Sequence, residues 1–184
     1  MKKIILWSLV AFISFQAAGQ KKLYSTKTGT AFFDAGTGVE NISGTNKAVM
    51  SVFDAVSGQM QSSMLVKGFE FWSQPMQDHF NENYMESDKF PKSTFSGKIT
   101  NIDKVNFSKD GNYPVEVKGT LEIHGVKKEI VAKGTMKVTG ETVAASSEFV
   151  VVLEDYNIHI PGVVKDKLAK DAKIKINCTY SLIK

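Results

Sequence analysis

The chain has 184 residues and a formal net charge of +4, and all 23 of its basic residues are lysine. This length is typical of one domain with one hydrophobic core. Arginine is the usual residue for binding phosphates and base edges, so its absence, with nearly balanced charge, argues against a nucleic-acid partner. With Cys178 as the one cysteine, no intrachain disulfide can form, and burial and sheet hydrogen bonds must hold the fold together.

The N-terminal residues have the pattern of an export signal. Two lysines precede an apolar run over residues 4–15, and the small residues AAG follow that run. We therefore predict a signal peptide over residues 1–19, which is cleaved to leave a mature domain, 20–184, that is periplasmic or secreted. The apolar run is too short for a membrane anchor, which predicts that the mature protein has no stable membrane insertion.

Beyond the signal, apolar and polar residues alternate with a period of two. In YPVEVKGTLEIHGVKKEIVAKGTMKV this alternation runs on both sides of His124-Gly125, which predicts an antiparallel hairpin with one apolar face. Ser57-Gly58 and Thr139-Gly140 are typical of turns between other strands. About eight strands are predicted, in the order GTAFFDAG, AVMSVFDAV, SSMLVKGFEFW, TFSGKIT, YPVEVKGTLEI, KKEIVAKGTMKV, SEFVVVLED and KIKINCTYSL.

Helix signals are confined to two short stretches. Pro75, with Ser73 before it as a candidate cap, predicts a helix over PMQDHFNENYM that places Met76 and Phe80 on one side. A second short helix is predicted in VVKDKLAKDA, after Pro161-Gly162. The sequence therefore predicts an all-β fold with one or two short helices at its ends.

Strands with one apolar face each must bury those faces together, either in a sandwich or in a closed barrel. Three inward positions of long strands are glycine: Gly97, Gly119 and Gly134. Glycine in a strand usually marks a bend or a close approach by another group. The three glycines therefore indicate bends of the sheet, an apolar channel left by the missing side chains, or both.

The most polar stretch is HFNENYMESDKFP, residues 79–91. A metal site or an acid–base pair is one interpretation, and its residues would be His79, Glu82, Glu86 and Asp88. A zinc site needs three or four well-placed ligands, and His124 and His159 are expected to lie far from this stretch. We therefore predict no catalytic residue, no metal and no cofactor, and interpret the stretch as a short amphipathic helix that closes one end of the fold.

Three stretches resemble a known family of exported bacterial proteins. They are HFNENYMESDKFPKSTFSGKI (79–99), YPVEVKGTLEIHGVKKEI (113–130) and DYNIHIPGVVKDKLAKDAKIKI (155–176). Together they are similar to the YceI-like family, in particular its short Bacteroidetes-type members. The resemblance implies a single antiparallel, lipocalin-like β-barrel over residues 20–184 with a long polyisoprenoid or similar lipid in its interior. The chain departs from the family near its N-terminus, where many members have a histidine that is missing here.

On this reading the expected ligand is a long-chain isoprenoid or fatty lipid. Its polar head would lie at a mouth formed by His79, Asn81, Asn83 and Tyr84. Its tail would lie in an apolar tunnel lined by Phe69, Phe71, Phe95, Ile99, Val115, Val117, Leu121, Ile123, Ile130, Met136, Phe149, Val151, Ile174 and Ile176. Burial of each CH₂ group stabilises such a complex by roughly 0.8 kcal/mol.

Two other functions are compatible with the same fold. The first is an enzyme that acts on a lipid inside the barrel, for which Asp155 and Tyr180 are the best candidate polar groups. The second is a ligand-free barrel that binds a protein partner in an envelope stress response. The preferred prediction is a non-catalytic lipid carrier or buffer, and the sequence leaves open whether the protein forms a homodimer.

Overall fold

The fold is known from a computed structural model that describes residues 22–183, so the predicted signal peptide lies outside the described residues. Nine strands account for most of this part of the chain. They are β1 (Leu23–Gly36), β2 (Ser43–Asp54), β3 (Gln59–Leu65), β4 (Phe69–Glu70), β5 (Lys92–Ile99), β6 (Gly111–Ile123), β7 (Val126–Thr139), β8 (Thr142–Val152) and β9 (Leu168–Leu182).

The strands form a closed antiparallel barrel. The sheet order is β1-β9-β8-β7-β6-β5-β3-β2-β4, and β1 also pairs with β2, which closes a ring of eight strands. The two-residue strand β4 pairs with Thr45 and Asn46 of β2, on the edge of β2 that β3 occupies further along. Closure removes the free edges that an open sheet would leave. The predicted all-β, lipocalin-like barrel is therefore confirmed.

Side-chain burial follows the predicted alternation. In β7, Ala132, Met136 and Val138 are buried, whereas Lys133 and Lys137 between them are exposed. The β6–β7 hairpin is paired along its whole length, and both residues of its turn have positive φ, 51° at His124 and 73° at Gly125. A turn of this kind suits the right-handed twist of the two strands.

The stretch SSMLVKGFEFW, predicted as one strand, is divided in the structure. β3 ends at Leu65, a 3₁₀ turn covers Val66–Gly68, and β4 follows. The fully buried Asn46 explains the break because its Nδ2 donates to the Leu65 carbonyl at 2.8 Å. A Cβ at Gly68 would lie 2.7 Å from that same Nδ2, so only glycine fits beside it.

One of the two predicted helices forms as expected. The helix α1 (Gln74–His79) has Pro75 in its first turn and continues as a wider π-helical turn over Phe80–Tyr84. Ser73 occupies the N-cap position, but its side chain makes no capping hydrogen bond there. No helix among residues 22–183 is long and apolar enough to cross a membrane.

The second predicted helix is wrong. After a single 3₁₀ turn over Gly162–Val164, the chain enters β9 at Leu168. The LAKDA stretch pairs with β8, where Ala172 lies opposite Val151 and Asp171 lies opposite Val152. Sheet pairing and the burial of Leu168 and Ala172 outweigh a helix propensity that is a weak preference on its own.

The inward glycines allow close approaches within the wall of the barrel. Gly97 and Gly119 lie opposite each other, and a Cβ on either one would overlap the other's Cα or neighbouring backbone. The ring of Phe95 covers both, with its Cζ 2.6 Å from where a Gly97 Cβ would lie. At these two positions the space of the missing side chains is occupied by Phe95 and the neighbouring backbone, and no channel is left there.

Strands β7 and β8 are paired along only part of their length. Their ladder joins residues 134–139 to 142–147, and no pair is formed between 126–133 of β7 and 148–152 of β8. Gly134 lies where the ladder ends, and Ser147 donates its hydroxyl to the Lys133 carbonyl there at 2.8 Å. Beyond this point the two strands diverge toward one end of the barrel.

Candidate functional site

An apolar cavity of about 530 Å³ occupies one end of the barrel. We call this the mouth end. Inward side chains of the barrel strands form its wall, and the short helix and the 3₁₀ turn before β9 lie around its opening. The apolar wall includes Phe33, Ile42, Met64, Phe69, Ile123, Val151, Leu168 and Ile174. A volume of this size, with a mainly apolar lining, is typical of a small-molecule site.

Residues 74–91, which we call the lid, close one side of the cavity through an aromatic cluster. Phe80 of the lid stacks on Phe33 of β1, with ring centroids 5.3 Å apart and planes 14° apart. The centroid of the Phe80 ring also lies 5.4 Å from that of Phe69 and 4.9 Å from that of Phe71. Four aromatic rings from three parts of the chain thus form one apolar cluster that lines the cavity.

Polar groups lie at the opening, whereas the interior of the cavity is apolar. His79, Asn83 and Tyr84 line it from the lid, and the Asn83 amide donates to Nδ1 of His79 at 3.1 Å. Asn81, predicted with them, does not line the cavity, and its Nδ2 donates to the Gln77 carbonyl at 3.0 Å. Among residues 22–183, Ser93 on β5 is the one buried polar residue in the wall.

The predicted tunnel residues occupy three levels of the barrel. The cavity wall itself includes Phe69, Phe71, Ile123, Val151 and Ile174. The next inward positions, which are only half-buried, are Phe95, Val117, Leu121, Ile130, Phe149 and Ile176. The opposite end of the barrel holds Ile99, Val115 and Met136, all buried in a packed cluster.

Several wall residues were missed by the sequence analysis. Phe33 lay in a predicted strand whose faces could not be told apart, because Phe32 and Phe33 are adjacent and both aromatic. Met64 lay in a stretch that was predicted as one unbroken strand. The predicted amphipathic helix did identify Met76 and Phe80, which both line the cavity.

Comparison with known proteins settles the family. The YceI-like domain matches residues 22–180, nearly all of the described chain. The chain belongs to the YceI-like family. No curated protein is significantly similar to it in sequence.

Solved structures of other YceI-like and related proteins have the same fold. A polyisoprenoid-binding domain from Saccharophagus degradans, implicated in plant cell wall breakdown, superposes with a TM-score of 0.75 at 10% identity, covering 89% of this chain and 100% of that one. BcnA of Burkholderia cenocepacia superposes with a TM-score of 0.67 at 16% identity, covering 82% of this chain and 95% of that one. The YceI protein of Campylobacter jejuni superposes with a TM-score of 0.61 at 19% identity, covering 79% of this chain and 86% of that one.

A buried histidine holds the lid of this YceI-like barrel in place. His124, in the β6–β7 turn, contacts Glu86 Oε2 of the lid through Nε2 at 2.9 Å and the Tyr156 carbonyl through Nδ1 at 3.1 Å. The expectation that His124 lies far from residues 79–91 is therefore wrong, because the closed barrel brings the turn to the mouth end. Carboxylate and carbonyl oxygens both accept hydrogen bonds, so the two ring nitrogens of His124 lie between two acceptors, one of them on the lid.

The backbone around this contact is unusual. Glu86, His124 and Asn157 are the non-glycine residues with positive φ among residues 22–183, at 40°, 51° and 57°. Each lies in, or next to, the His124 network. Phe90 of the lid also packs edge-on against the His124 ring, with centroids 4.5 Å apart. Strained conformations of this kind persist where surrounding contacts fix them, which here marks the attachment of the lid.

The acidic side chains of the lid are dispersed among separate partners. Glu86 contacts His124, and Asp88 forms an ion pair with Lys67 at 2.6 Å. Within residues 22–183, no three histidine, cysteine, aspartate or glutamate side chains are grouped to hold a metal ion.

The two candidate acid–base residues lie outside the cavity. Asp155 is exposed and 3.6 Å from Lys128. Tyr180 is buried at the opposite end, where its hydroxyl donates to Ser51 Oγ at 2.9 Å. Burial raises the pKa of the Tyr180 phenol far above its usual range. Neither residue is therefore placed to act on a molecule in the cavity.

Proposed function

We propose that this protein binds one long-chain lipid, an isoprenoid or a chain of similar shape, and does so without chemical change. The tail occupies the apolar cavity and the polar head lies at the opening, near His79, Asn83 and Tyr84. The observation that carries the proposal is the open-mouthed cavity of about 530 Å³, whose wall is mainly apolar and whose polar side chains lie mostly at its opening. The protein would act as a carrier or buffer of such a lipid, with no cofactor.

The size of the cavity is sufficient for this role. A methylene group is close in size to a water molecule, whose share of a liquid is about 30 Å³, so about 18 such groups fill 530 Å³. Burial of that many groups contributes roughly 14 kcal/mol, against association costs of roughly 4–15 kcal/mol. A tail of about this length therefore gives useful affinity, whereas a much shorter one does not.

The half-buried second level of inward residues supports accommodation of longer tails. Leu121, Phe149 and Ile176 lie two residues beyond Ile123, Val151 and Ile174, which are in the cavity wall. These three side chains are only partly buried and pack against the two core clusters. We propose that a tail too long for the cavity extends along this second level and stops at the packed cluster.

Family membership supports both the ligand class and the location. The Saccharophagus degradans domain of the same fold is described as polyisoprenoid-binding. We infer that this chain also works outside the cytoplasm, in the periplasm or beyond, as the basic and apolar N-terminal pattern predicts.

The test is identification of the natural ligand. The protein is purified from its own host without detergent, its intact mass is measured by native mass spectrometry, and bound molecules are extracted with organic solvent. We expect a stoichiometric mass increase and one intact lipid with a tail of about 15 or more carbons, which is close to the number of groups that fills the cavity. An unoccupied protein from lipid-replete cells, or an altered lipid after incubation with the intact one, would contradict the proposal.

A further inference from the structure

Three exposed apolar side chains surround the opening of the cavity. They are Val39, 73% exposed, Trp72, 68% exposed, and Val163, 92% exposed. Each lies in a different connection: the β1–β2 loop, the segment after β4, and the 3₁₀ turn before β9. We call these three residues the rim. Such exposure costs free energy in water, and exposed apolar side chains around the opening of a cavity are typical of an interaction site.

Contacts between the three connections hold the rim in one arrangement. The Thr37 hydroxyl donates to the Asp166 carbonyl at 2.5 Å, and Lys167 lies 3.0 Å from Glu40. The Trp72 indole N–H donates to the Asn41 carbonyl at 3.3 Å. These contacts join the three connections, and they therefore fix the positions of the rim residues relative to one another.

The rim is continuous with the wall of the cavity. Trp72 and Val163 line the cavity as well as being exposed, and Glu40, next to Val39, also lines it. Trp72 and Val163 thus extend the apolar lining from the interior to the outer surface at this end of the barrel, and the paired charges of Glu40 and Lys167 lie beside them at the opening.

We propose that the rim docks on the surface of a lipid bilayer, so that the lipid passes between membrane and cavity without crossing water. This inference rests on the proposed lipid-binding function and adds the membrane as its partner. Val39 and Val163 enter the interfacial layer. Trp72 lies at the level of the head groups, where an amphipathic ring with an engaged N–H is favoured.

The size of the rim favours a bilayer over a protein partner. A stable protein interface uses about 20–30 residues on each side, many more than the three side chains of the rim. A bilayer binds a protein reversibly through a small buried apolar area, and the strength of binding scales with that area. Lys167 and Glu40 neutralise each other at the rim, so apolar insertion rather than charge drives docking.

The test is flotation of the full chain with phosphatidylcholine vesicles on a density gradient. The double variant Val39→Glu/Val163→Glu retains Trp72 and places two charges on the outermost positions. The matched control is Val56→Glu, an equally apolar side chain, 59% exposed, in the β2–β3 turn at the opposite end of the barrel. Circular dichroism checks that all three proteins are folded.

We expect the wild type and the Val56→Glu control to float with the vesicles, and the rim variant to lose at least tenfold in bound fraction. Because insertion is apolar, binding should change less than twofold between 50 and 500 mM salt, by contrast with the strong screening of charge-driven binding. The proposal is overturned if the rim and control variants lose the same fraction of vesicle-bound protein. It is also overturned if the wild type is released from the vesicles when the salt concentration is raised.

The failure of docking is distinguishable from the failure of lipid binding. A wild-type protein that carries lipid in native mass spectrometry but does not float overturns the rim proposal and leaves the proposed function standing. An unoccupied protein that floats contradicts the proposed function and leaves the rim as a membrane contact. A rim variant that changes the sedimentation of the protein without vesicles shows contact between copies of the chain and also overturns the rim proposal.

Discussion

The two ends of the barrel are built from the same alternating strands but are filled differently. At the packed end, Tyr24, Phe53 and Tyr180 fill the interior, with Tyr24 stacked on Phe53 at 5.2 Å and Tyr180 edge-on to Phe53 at 5.0 Å. At the mouth end, Phe33 and Phe80 meet at the opening and leave a cavity beneath them. Large aromatic residues are present at both ends, so residue size alone does not decide which end is hollow.

What differs is where the connections place their side chains. At the packed end, the segment after β5 inserts Ile102, Val105 and Phe107 into the core, and Phe107 stacks on Tyr24 at 5.4 Å. At the mouth end, α1 and the turn at Gly162–Val164 lie around the opening. The connections thus fill the interior at the packed end, whereas at the mouth end the lid covers a cavity. We therefore expect stability to depend mainly on residues of the packed end and ligand binding mainly on residues of the mouth end.

The largest expected effect is the loss of an aromatic core residue at the packed end. Phe53→Ala should destabilise the protein by roughly 3–5 kcal/mol, because Phe53 is fully buried and surrounded by rings. Phe71→Ala, at the mouth end, should cost roughly 1–2 kcal/mol, because the half-buried ring borders a cavity that already exists. Chemical denaturation of both variants measures the difference, and equal losses would show that the two ends are packed alike.

A charge in the cavity should affect binding more than folding. Ile174→Lys places an ammonium group in the wall, and its long side chain can reach the opening. We expect at least a tenfold loss of bound lipid, which is about 1.4 kcal/mol. Val150→Lys on the outer face of β8 is the control and should bind normally. Native mass spectrometry measures occupancy, and unchanged occupancy in Ile174→Lys would show that the ligand lies elsewhere.

The attachment of the lid should be weaker without the Glu86 charge. Glu86→Gln keeps the shape of the side chain but removes its charge, and we expect a local loss of roughly 1 kcal/mol. Hydrogen exchange at residues 80–91 should then be about fivefold faster, while exchange in β8 is unchanged. Asp88→Asn, which breaks an exposed ion pair with Lys67, is the control and should have a smaller effect. Faster exchange along the whole barrel would instead indicate global destabilisation.

The smallest effect concerns pH at the packed end. Hydrogen bonds, chiefly from the Val56 backbone and also from Ser57 and Lys22, lower the pKa of Asp54 below its usual 3.8. A lowered pKa in the folded state gives stability that is present above the unfolded pKa and is lost as pH falls through the folded one. Asp54→Asn should therefore cost roughly 0.5–1 kcal/mol at pH 7 and less at pH 3. Denaturation at both pH values checks this, and a difference that grows toward pH 3 would refute it.

The predictions that succeeded are those that rest on local pattern. The β6–β7 hairpin followed from alternation and from His124-Gly125, because side-chain period and turn chemistry are both properties of neighbouring residues. The amphipathic stretch around Met76 and Phe80 was recognised for the same reason. Each of these features is decided within a few residues, so no knowledge of the rest of the fold was needed.

The errors concern distance along the chain and the filling of space. His124 and Glu86 are 38 residues apart, and only closure of the barrel brings them together. The inward phase of Met136 was predicted correctly, but alternation says nothing about whether an inward residue packs in a core or borders a cavity. Likewise, LAKDA was assigned to a helix because its pairing with β8 cannot be seen from its own residues.

The short β7–β8 ladder allows the diameter of the barrel to differ between its two ends. A barrel whose strands are hydrogen-bonded along their whole length has a fixed circumference, because widening it would break backbone hydrogen bonds. Here the mouth end can widen because residues 126–133 of β7 and 148–152 of β8 are not paired with each other, while the ladder from Gly134 to Thr139 keeps the diameter of the packed end constant. A branched or bulky hydrocarbon can therefore enter if β7 and β8 move apart in this region, and no hydrogen bond of the sheet is broken by that movement.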